Sequence, residues 1–173
     1  MTPSASGTQV PDRAGDAFER LFVAEYPRVV GIANRVLANP HEAEEVAQDV
    51  FISFNRRHSP EAPYARPWLH SAASHAALNR LRDNRRRERR ELRNAALEAE
   101  VVGDPGQEVE RAEDRQRVRA AMRRLPPKSA SVLSLRYAGL SYAEVAAALG
   151  VGVGQVGTLL RRAEARLKAE VYR

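Results

Sequence analysis

Three polar side chains near the end of the chain, Gln155, Thr158 and Arg162, recur at the spacing of one helix face. An amide pairs with a base edge, a hydroxyl with a base or a phosphate, and a guanidinium with guanine or a phosphate. This combination predicts a helix that reads DNA in the major groove. An ordinary helical hairpin with a solvated basic face has the same pattern, so both interpretations stay open at this point.

Two short helices around a glycine turn are needed to present that face. Ser141 and Glu144 match the S-x-x-E capping box, which predicts a helix start, and Gly150 fits the left-handed residue that ends the helix. The apolar positions of the second helix repeat on its other side, at Val156, Leu160, Ala163 and Leu167. The segment 140–167 therefore favours a helix-turn-helix, whose second helix enters the major groove.

Charge is segregated along the chain. Residues 12–51 carry eight acidic and four basic side chains, whereas residues 80–93 contain eight arginines and three acids. Residues 94–110 have five acids and no base, and residues 111–173 have thirteen bases and five acids. Two basic blocks around an acidic stretch favour two contacts with a polyanion, and the acidic amino-terminal part is expected to face a different partner. A solvated helix face is the plainer explanation for any single block.

Composition limits the function classes. The chain has 173 residues, 43% of them hydrophobic, which suffices for one domain or two small ones. It lacks cysteine, a membrane-length apolar run and a signal peptide, so we expect a cytoplasmic protein without disulfides or membrane insertion. The four histidines show no metal-ligand spacing, and no catalytic triad or nucleotide-binding loop is evident. We therefore expect no metal, no cofactor and no catalytic residue.

The apolar periodicity is helical throughout and predicts an all-α fold. One pattern runs from Phe18 to Leu37 with an interruption at Pro27, and another runs from about His41 to Arg56. A proline-rich loop over 59–67 precedes a helix that opens at Trp68 and continues into the arginines. We expect a disordered tail over 1–15, a helical domain over 16–93, a flexible acidic linker over 94–110 and a second helical domain over 111–173.

Three segments together resemble an extracytoplasmic-function (ECF, group 4) sigma factor of the bacterial primary-sigma family. They are FERLFVAEYPRVVGIANRVLANPHEAEEVAQDVF, PWLHSAASHAALNRLRDNRRR and LPPKSASVLSLRYAGLSYAEVAAALGV, in this order. The resemblance implies that residues 16–93 form a sigma-2 helical bundle, which binds core RNA polymerase and melts the minus-ten promoter element. It implies that residues 111–173 form sigma-4, whose helix-turn-helix reads the minus-thirty-five element.

The resemblance also implies which residues form each surface. The EAEEVAQDVF helix is expected to dock on the clamp coiled coil of the largest catalytic polymerase subunit, through Glu44, Glu45, Gln48, Asp49 and Phe51. The minus-ten element is expected to contact Tyr64, Arg66, Trp68, His75, Asn79, Arg80, Arg82, Arg85, Arg86 and Arg87. The minus-thirty-five element is expected to contact Ser141, Tyr142, Gln155, Thr158, Leu159, Arg161 and Arg162. The flap region of the polymerase is a further expected partner.

Some of these residues have plain structural alternatives. The acids of the docking helix can simply solubilise it, and Trp68 at a helix start can belong to the core. His75 stands where the family commonly has asparagine, so a surface role without base contact is its alternative.

The recognition helix departs from the family pattern at three positions. Gly152 stands at the cap, Gly157 where lysine is common, and Leu159 where arginine is common. We expect a helix that is less basic and less stable alone. In it, Gln155 is expected to read adenine, and Leu159 to contact a thymine methyl or a protein partner.

Three functions stay open from the residues alone. They are a promoter-specificity subunit of RNA polymerase, a dimeric operator-binding regulator and, least favoured, an enzyme. The first needs double-stranded and melted promoter DNA as ligands, and the resemblance implies an anti-sigma factor that holds it inactive. We expect a free monomer that binds DNA weakly alone and joins the nucleoid with polymerase, since the linker lets two weak modules act together.

Overall fold

The structure is a computed structural model that describes residues 13–95 and 107–173, with side chains over 15–84 and 113–173. Within these ranges every regular element is an α-helix, as the sequence predicts. They are α1 (Arg13–Leu37), α2 (Pro40–Arg57), α3 (Ala65–Ala95), α4 (Gln107–Arg124), α5 (Pro127–Tyr137), α6 (Tyr142–Leu149) and α7 (Val153–Val171). Residues 1–12 of the predicted tail and residues 96–106 of the linker predicted over 94–110 lie outside the described residues. The two ends of that predicted linker are helical, because α3 continues to Ala95 and α4 begins at Gln107.

The helices α1, α2 and α3 form an amino-terminal bundle. The predicted interruption at Pro27 is wrong, because α1 runs through this residue without a break. A proline inside a helix costs about 3 kcal/mol. Leu21 before it and Val29 and Ile32 after it are buried in the same core, so the packing of one continuous helix outweighs that cost.

Local signals set the ends of α1 and α2. Ala38 has a φ of 49°, the left-handed conformation that ends α1. Asn39 then caps α2, because its side-chain oxygen accepts from the backbone N–H groups of His41 and Glu42. The predicted inward face of α2 is confirmed, since its members are buried: Ala43, Val46, Ala47, Val50 and Phe54.

The helices α4 to α7 form a carboxyl-terminal bundle that contains the helix-turn-helix. The capping box is confirmed: the Ser141 hydroxyl accepts from the Glu144 N–H at 3.3 Å, and the Glu144 carboxylate accepts from the Ser141 N–H at 2.8 Å. Gly150 ends α6 with a φ of 63°, as predicted. The axes of α6 and α7 are bent by 89°, close to the angle that helix-turn-helix units adopt.

The two bundles touch each other. Both α1 and α3 pack against α5, α3 also packs against α6, and the buried apolar residues form one continuous cluster. Ser74 of α3 meets Ser134 of α5, with 2.9 Å between the two hydroxyl oxygens, and both residues are buried. Because the Ser134 hydroxyl donates to the Ser131 carbonyl, Ser74 is the donor in this contact.

Taken singly, none of the described helices is long and apolar enough to cross a membrane, whereas α6 and α7 taken together have the length and composition for it despite the bend of 89° between them.

Candidate nucleic-acid interface and docking face

The outer face of α2 combines carboxylates with apolar surface. Glu44, Gln48 and Asp49 are exposed, and Ile52 beside them is 50% exposed. A groove next to Ile52 has a floor of phenylalanine rings and runs between α1 and α2. This face therefore offers charge to attract a basic partner and apolar area to bury against it.

Phe51 lies beneath that face and not on it. Its side chain is 2% exposed, and its ring packs edge-on against Phe22, with 4.8 Å between ring centroids. Phe51 therefore belongs to the floor of the groove, and its contact with the polymerase stays a prediction. The ring faces α1, where it also meets Phe18 and Tyr26 with 6.3 and 6.1 Å between ring centroids.

Two residues that we expected on different surfaces are paired with each other. The Arg80 guanidinium donates to Glu45 Oε2 through both terminal nitrogens, at 2.8 and 3.0 Å. This pair joins α2 to α3. Of the predicted phosphate contacts, Arg80 is therefore engaged within the protein, while the side chains of Arg85, Arg86 and Arg87 lie outside the described residues.

One stripe of α3 carries the other predicted minus-ten residues. Trp68, His75, Asn79 and Arg82 follow each other at intervals of seven, four and three, which places them on one helix face. His75 and Asn79 are exposed, whereas Trp68 and Arg82 are partly buried. The stripe offers one aromatic ring, two hydrogen-bonding groups and one cation to a nucleic-acid strand.

An aromatic cluster stands where the proline-rich loop meets α3. Trp68 packs against His58 at 4.6 Å and Phe54 at 5.5 Å between ring centroids, and Tyr64 meets His58 edge-on at 5.8 Å. Tyr64 remains 49% exposed, so one ring of the cluster is open to solvent. Sequence reasoning missed His58, although its place directly before the prolines was a usable signal. Exposed rings of this kind can stack on unpaired bases.

A buried carboxylate holds Arg66 in place. Glu25 of α1 is 5% exposed and contacts His70 Nε2 at 2.8 Å and Arg66 Nε at 3.1 Å. The Arg66 side chain is itself 67% exposed. Neither Glu25 nor His70 was predicted as a site residue, because the two residues are 45 positions apart in the sequence and belong to different helices.

The outer face of α7 is open. It carries four exposed polar residues: Gln155, Thr158, Arg161 and Arg162. The apolar residues of α7 that pack against the core lie on its other side. Leu159 differs, because it is partly buried and packs against the core. The exposed apolar residue of the first turn is Val153, at 52%.

The start of α6 carries two further predicted residues. Ser141 is exposed, and Tyr142 is 42% exposed with the Arg136 guanidinium 5.7 Å from its ring centroid. Gly157 of α7 faces the same ring, since a Cβ atom there would lie 3.6 Å from it. Tyr142 thus bridges the two helices of the unit.

An ion pair links the start of α6 to the amino-terminal bundle. Arg28 of α1 contacts the Glu144 carboxylate. The backbone hydrogen bond from Ser141 has the largest effect and lowers the pKa of this carboxyl below its ordinary value. Burial opposes this effect, and the Ser141 hydroxyl and Arg28 each lower the pKa further by less. Glu144 therefore both caps the helix and ties the bundles together.

Within the ranges that the structure describes, no group of three or more His, Asp or Glu side chains is arranged to hold a metal ion.

Comparison with known proteins identifies the family. Residues 21–87 match the model "Sigma-70 region 2", and residues 115–167 match "Sigma-70, region 4". The RNA polymerase sigma factor CarQ of Myxococcus xanthus is 32% identical over 165 residues, which cover 91% of this chain and 90% of CarQ. The ECF sigma factor SigK of Mycolicibacterium vanbaalenii is 29% identical over 158 residues, covering 88% and 81% of the two chains. The chain belongs to the ECF sigma factors.

A solved structure shows the same fold. The chain matches CnrH, in a structure described as CnrH in complex with the cytosolic domain of CnrY, with a TM-score of 0.55 and 22% identity. The match covers 90% of this chain and 92% of CnrH. Membership of the ECF sigma factors makes the chain a transcription initiation factor, which favours the first of the three functions over the operator-binding regulator and the enzyme.

Proposed function

We propose that this ECF sigma factor binds core RNA polymerase through the outer face of α2 and directs it to promoters with two DNA-reading faces. The stripe of α3, with the aromatic cluster, would take the melted minus-ten element. The outer face of α7 would read the double-stranded minus-thirty-five element. The observation that carries the proposal is that two separate polar faces and one acidic, partly apolar face occur on one helical chain.

The docking step follows from the chemistry of α2. Glu44 and Asp49 steer a basic partner, and Ile52 with the adjoining groove supplies area to bury. Because Glu45 is paired with Arg80, we propose that it positions α3 relative to α2 and contributes less to the polymerase contact. The partner surface that fits is the clamp coiled coil of the largest polymerase subunit, and the flap region would hold the carboxyl-terminal bundle.

Strand separation costs stacking energy, which the aromatic cluster and the cations can offset. Tyr64 offers an exposed ring for one displaced base, and base–aromatic stacking contributes about 1–3 kcal/mol. Arg66 and Arg82 would hold phosphates beside it. His75 and Asn79 would contact base edges from the same stripe.

The bundles must separate for both elements to be bound. Elements centred about 25 base pairs apart are about 85 Å apart along B-DNA. The bundles pack against each other in the described arrangement, and a compact chain of this size has a radius of gyration of only about 15 Å, which is too small for this span. We therefore propose that the described arrangement is that of the free protein and that the chain opens between α3 and α4 on the polymerase.

The test is reconstitution with purified core RNA polymerase. Wild-type protein is expected to co-purify with core enzyme and to give promoter-dependent run-off transcripts. Asp49→Arg is expected to lose co-purification, because it reverses a charge on the exposed docking face. Glu113→Arg, an equal change on exposed α4, is the matched control and should retain binding. Loss of binding in both variants, or in neither, would count against this docking face.

We also propose control by an anti-sigma factor in the cytoplasm, as the family resemblance implies. The test is affinity purification of the chain from its own cells before induction. A stoichiometric protein that is displaced by core polymerase would be the expected result.

A further inference from the structure

Gln155 is both a cap and an exposed side chain at the start of α7. Gly152 occupies the N-cap position and has no side chain to accept a hydrogen bond, so the cap contact comes from Gln155. The Gly152 backbone N–H donates to Gln155 Oε1 at 3.2 Å. Because an N–H group requires an oxygen acceptor, this bond assigns the two ends of the amide. It leaves the Nε2 amino group, a pure donor, as the end available to a ligand.

The four bases differ in what they offer to such a donor. In the major groove guanine presents two acceptors, N7 and O6, whereas thymine presents O4 alone. Adenine presents the N7 acceptor beside the N6 donor, and cytosine presents a donor. A glutamine that pairs with adenine uses both ends of its amide, but here the oxygen already serves the cap. An amino group alone matches guanine best.

We propose that Gln155 selects guanine in the upstream promoter element, and not the adenine that its residue type alone predicts. The inference rests on the proposed function, since it assumes that α7 enters the major groove. Residues in the first turn of a recognition helix are those that reach base edges, and Gln155 is the third residue of α7. Turning its amide to pair with adenine breaks the cap.

The experiment uses holoenzyme reconstituted from core polymerase and the full chain. Templates carry a fixed minus-ten region and a randomised upstream element, and the transcripts are sequenced. Wild-type holoenzyme is expected to prefer guanine at one position by about tenfold, within the range of a good side-chain contact to a base. Gln155→Ala is expected to abolish the preference at that position and to leave the others.

A second variant tests the cap itself. Gly152→Pro removes the backbone N–H that donates to the Gln155 amide oxygen, at a residue whose φ of −70° and ψ of 143° suit proline. A Cβ atom there would come no closer than 3.9 Å to Gln155, so the substitution fits. Loss of this donor frees the amide oxygen, and preference at the same position is expected to move from guanine toward adenine. Gln116→Ala, on exposed α4, is the matched control and should keep the wild-type preference.

Three results would overturn the assignment. They are adenine preference by wild type at the Gln155-dependent position, guanine preference retained in Gln155→Ala, and guanine preference unchanged in Gly152→Pro. Promoter-dependent transcripts with any of these outcomes leave the proposed function intact. Absence of promoter-dependent transcription from every template would instead refute the proposed function, and with it this inference.

Discussion

Replacing Glu25 by alanine is expected to lower the free energy of unfolding of the amino-terminal bundle by about 3 kcal/mol. Glu25 is 5% exposed and contacts the buried His70 ring at 2.8 Å, and breaking such a buried pair costs about 3–5 kcal/mol. We expect the lower end, because an imidazole left without its partner is an unpaired donor that costs about 1–3 kcal/mol. With a urea m-value of about 2 kcal/mol/M, the unfolding midpoint falls by about 1.5 M.

The measurement is urea unfolding followed by the fluorescence of Trp68, the only tryptophan of the chain, which lies two residues from His70. Arg66→Ala is the control. Arg66 contacts the same carboxylate at 3.1 Å, but its side chain is 67% exposed, so its loss should cost less than about 1 kcal/mol. Equal losses in the two variants would refute the reasoning, because burial of the histidine contact is what distinguishes them.

Three further predictions concern the helix-turn-helix. Gly157→Ala is expected to raise thermal stability by about 0.5–1 kcal/mol, since the position is helical and a Cβ atom would be in ordinary contact with Tyr142; a lower melting temperature would contradict this. Val153→Ala removes two methyl groups and, with one of them buried against a thymine methyl, should reduce the preference for thymine beside the Gln155 position by about fourfold in the same template selection; an unchanged preference would exclude Val153 as a methyl contact. The lowered pKa of Glu144 means that its stabilising effect is present above its ordinary value of 4.5 and is lost as pH falls through the lower folded value. Wild type should therefore exceed Glu144→Gln in stability above pH 4.5, with the difference disappearing below it, in denaturation series at stepped pH.

The start and end of α6 were predictable from local sequence signals. The capping box of Ser141 and Glu144 and the left-handed Gly150 depend on neighbours within a few residues, so sequence alone determined them. The same is true of the inward face of α2, since a helical period fixes which residues share a side. Membership of the family followed from motifs that stand in the right order.

Contacts between distant residues were not predictable in the same way. Glu25 and His70 are 45 residues apart and Ser74 and Ser134 are 60 apart, and no periodicity links either pair. The continuity of α1 through Pro27 depends on a core built by other helices.

The sequence indicated that Gln155 could cap α7, but it did not predict the orientation of its amide. The spacing G-x-x-Q has the form of a capping box whose first residue lacks a side chain. The glycine alone indicated a weak helix start, whereas the contact from Gly152 to Gln155 required coordinates.

A hydrogen bond between two serine hydroxyls, of Ser74 and Ser134, lies in the contact between the two bundles. When this hydrogen bond breaks, water can hydrate both hydroxyl groups, so separation of Ser74 from Ser134 exposes no apolar surface at this point. Opening the chain, however, exposes apolar residues of the continuous cluster that joins the bundles, so we expect the open form to depend on polymerase to cover this surface and to close again without it.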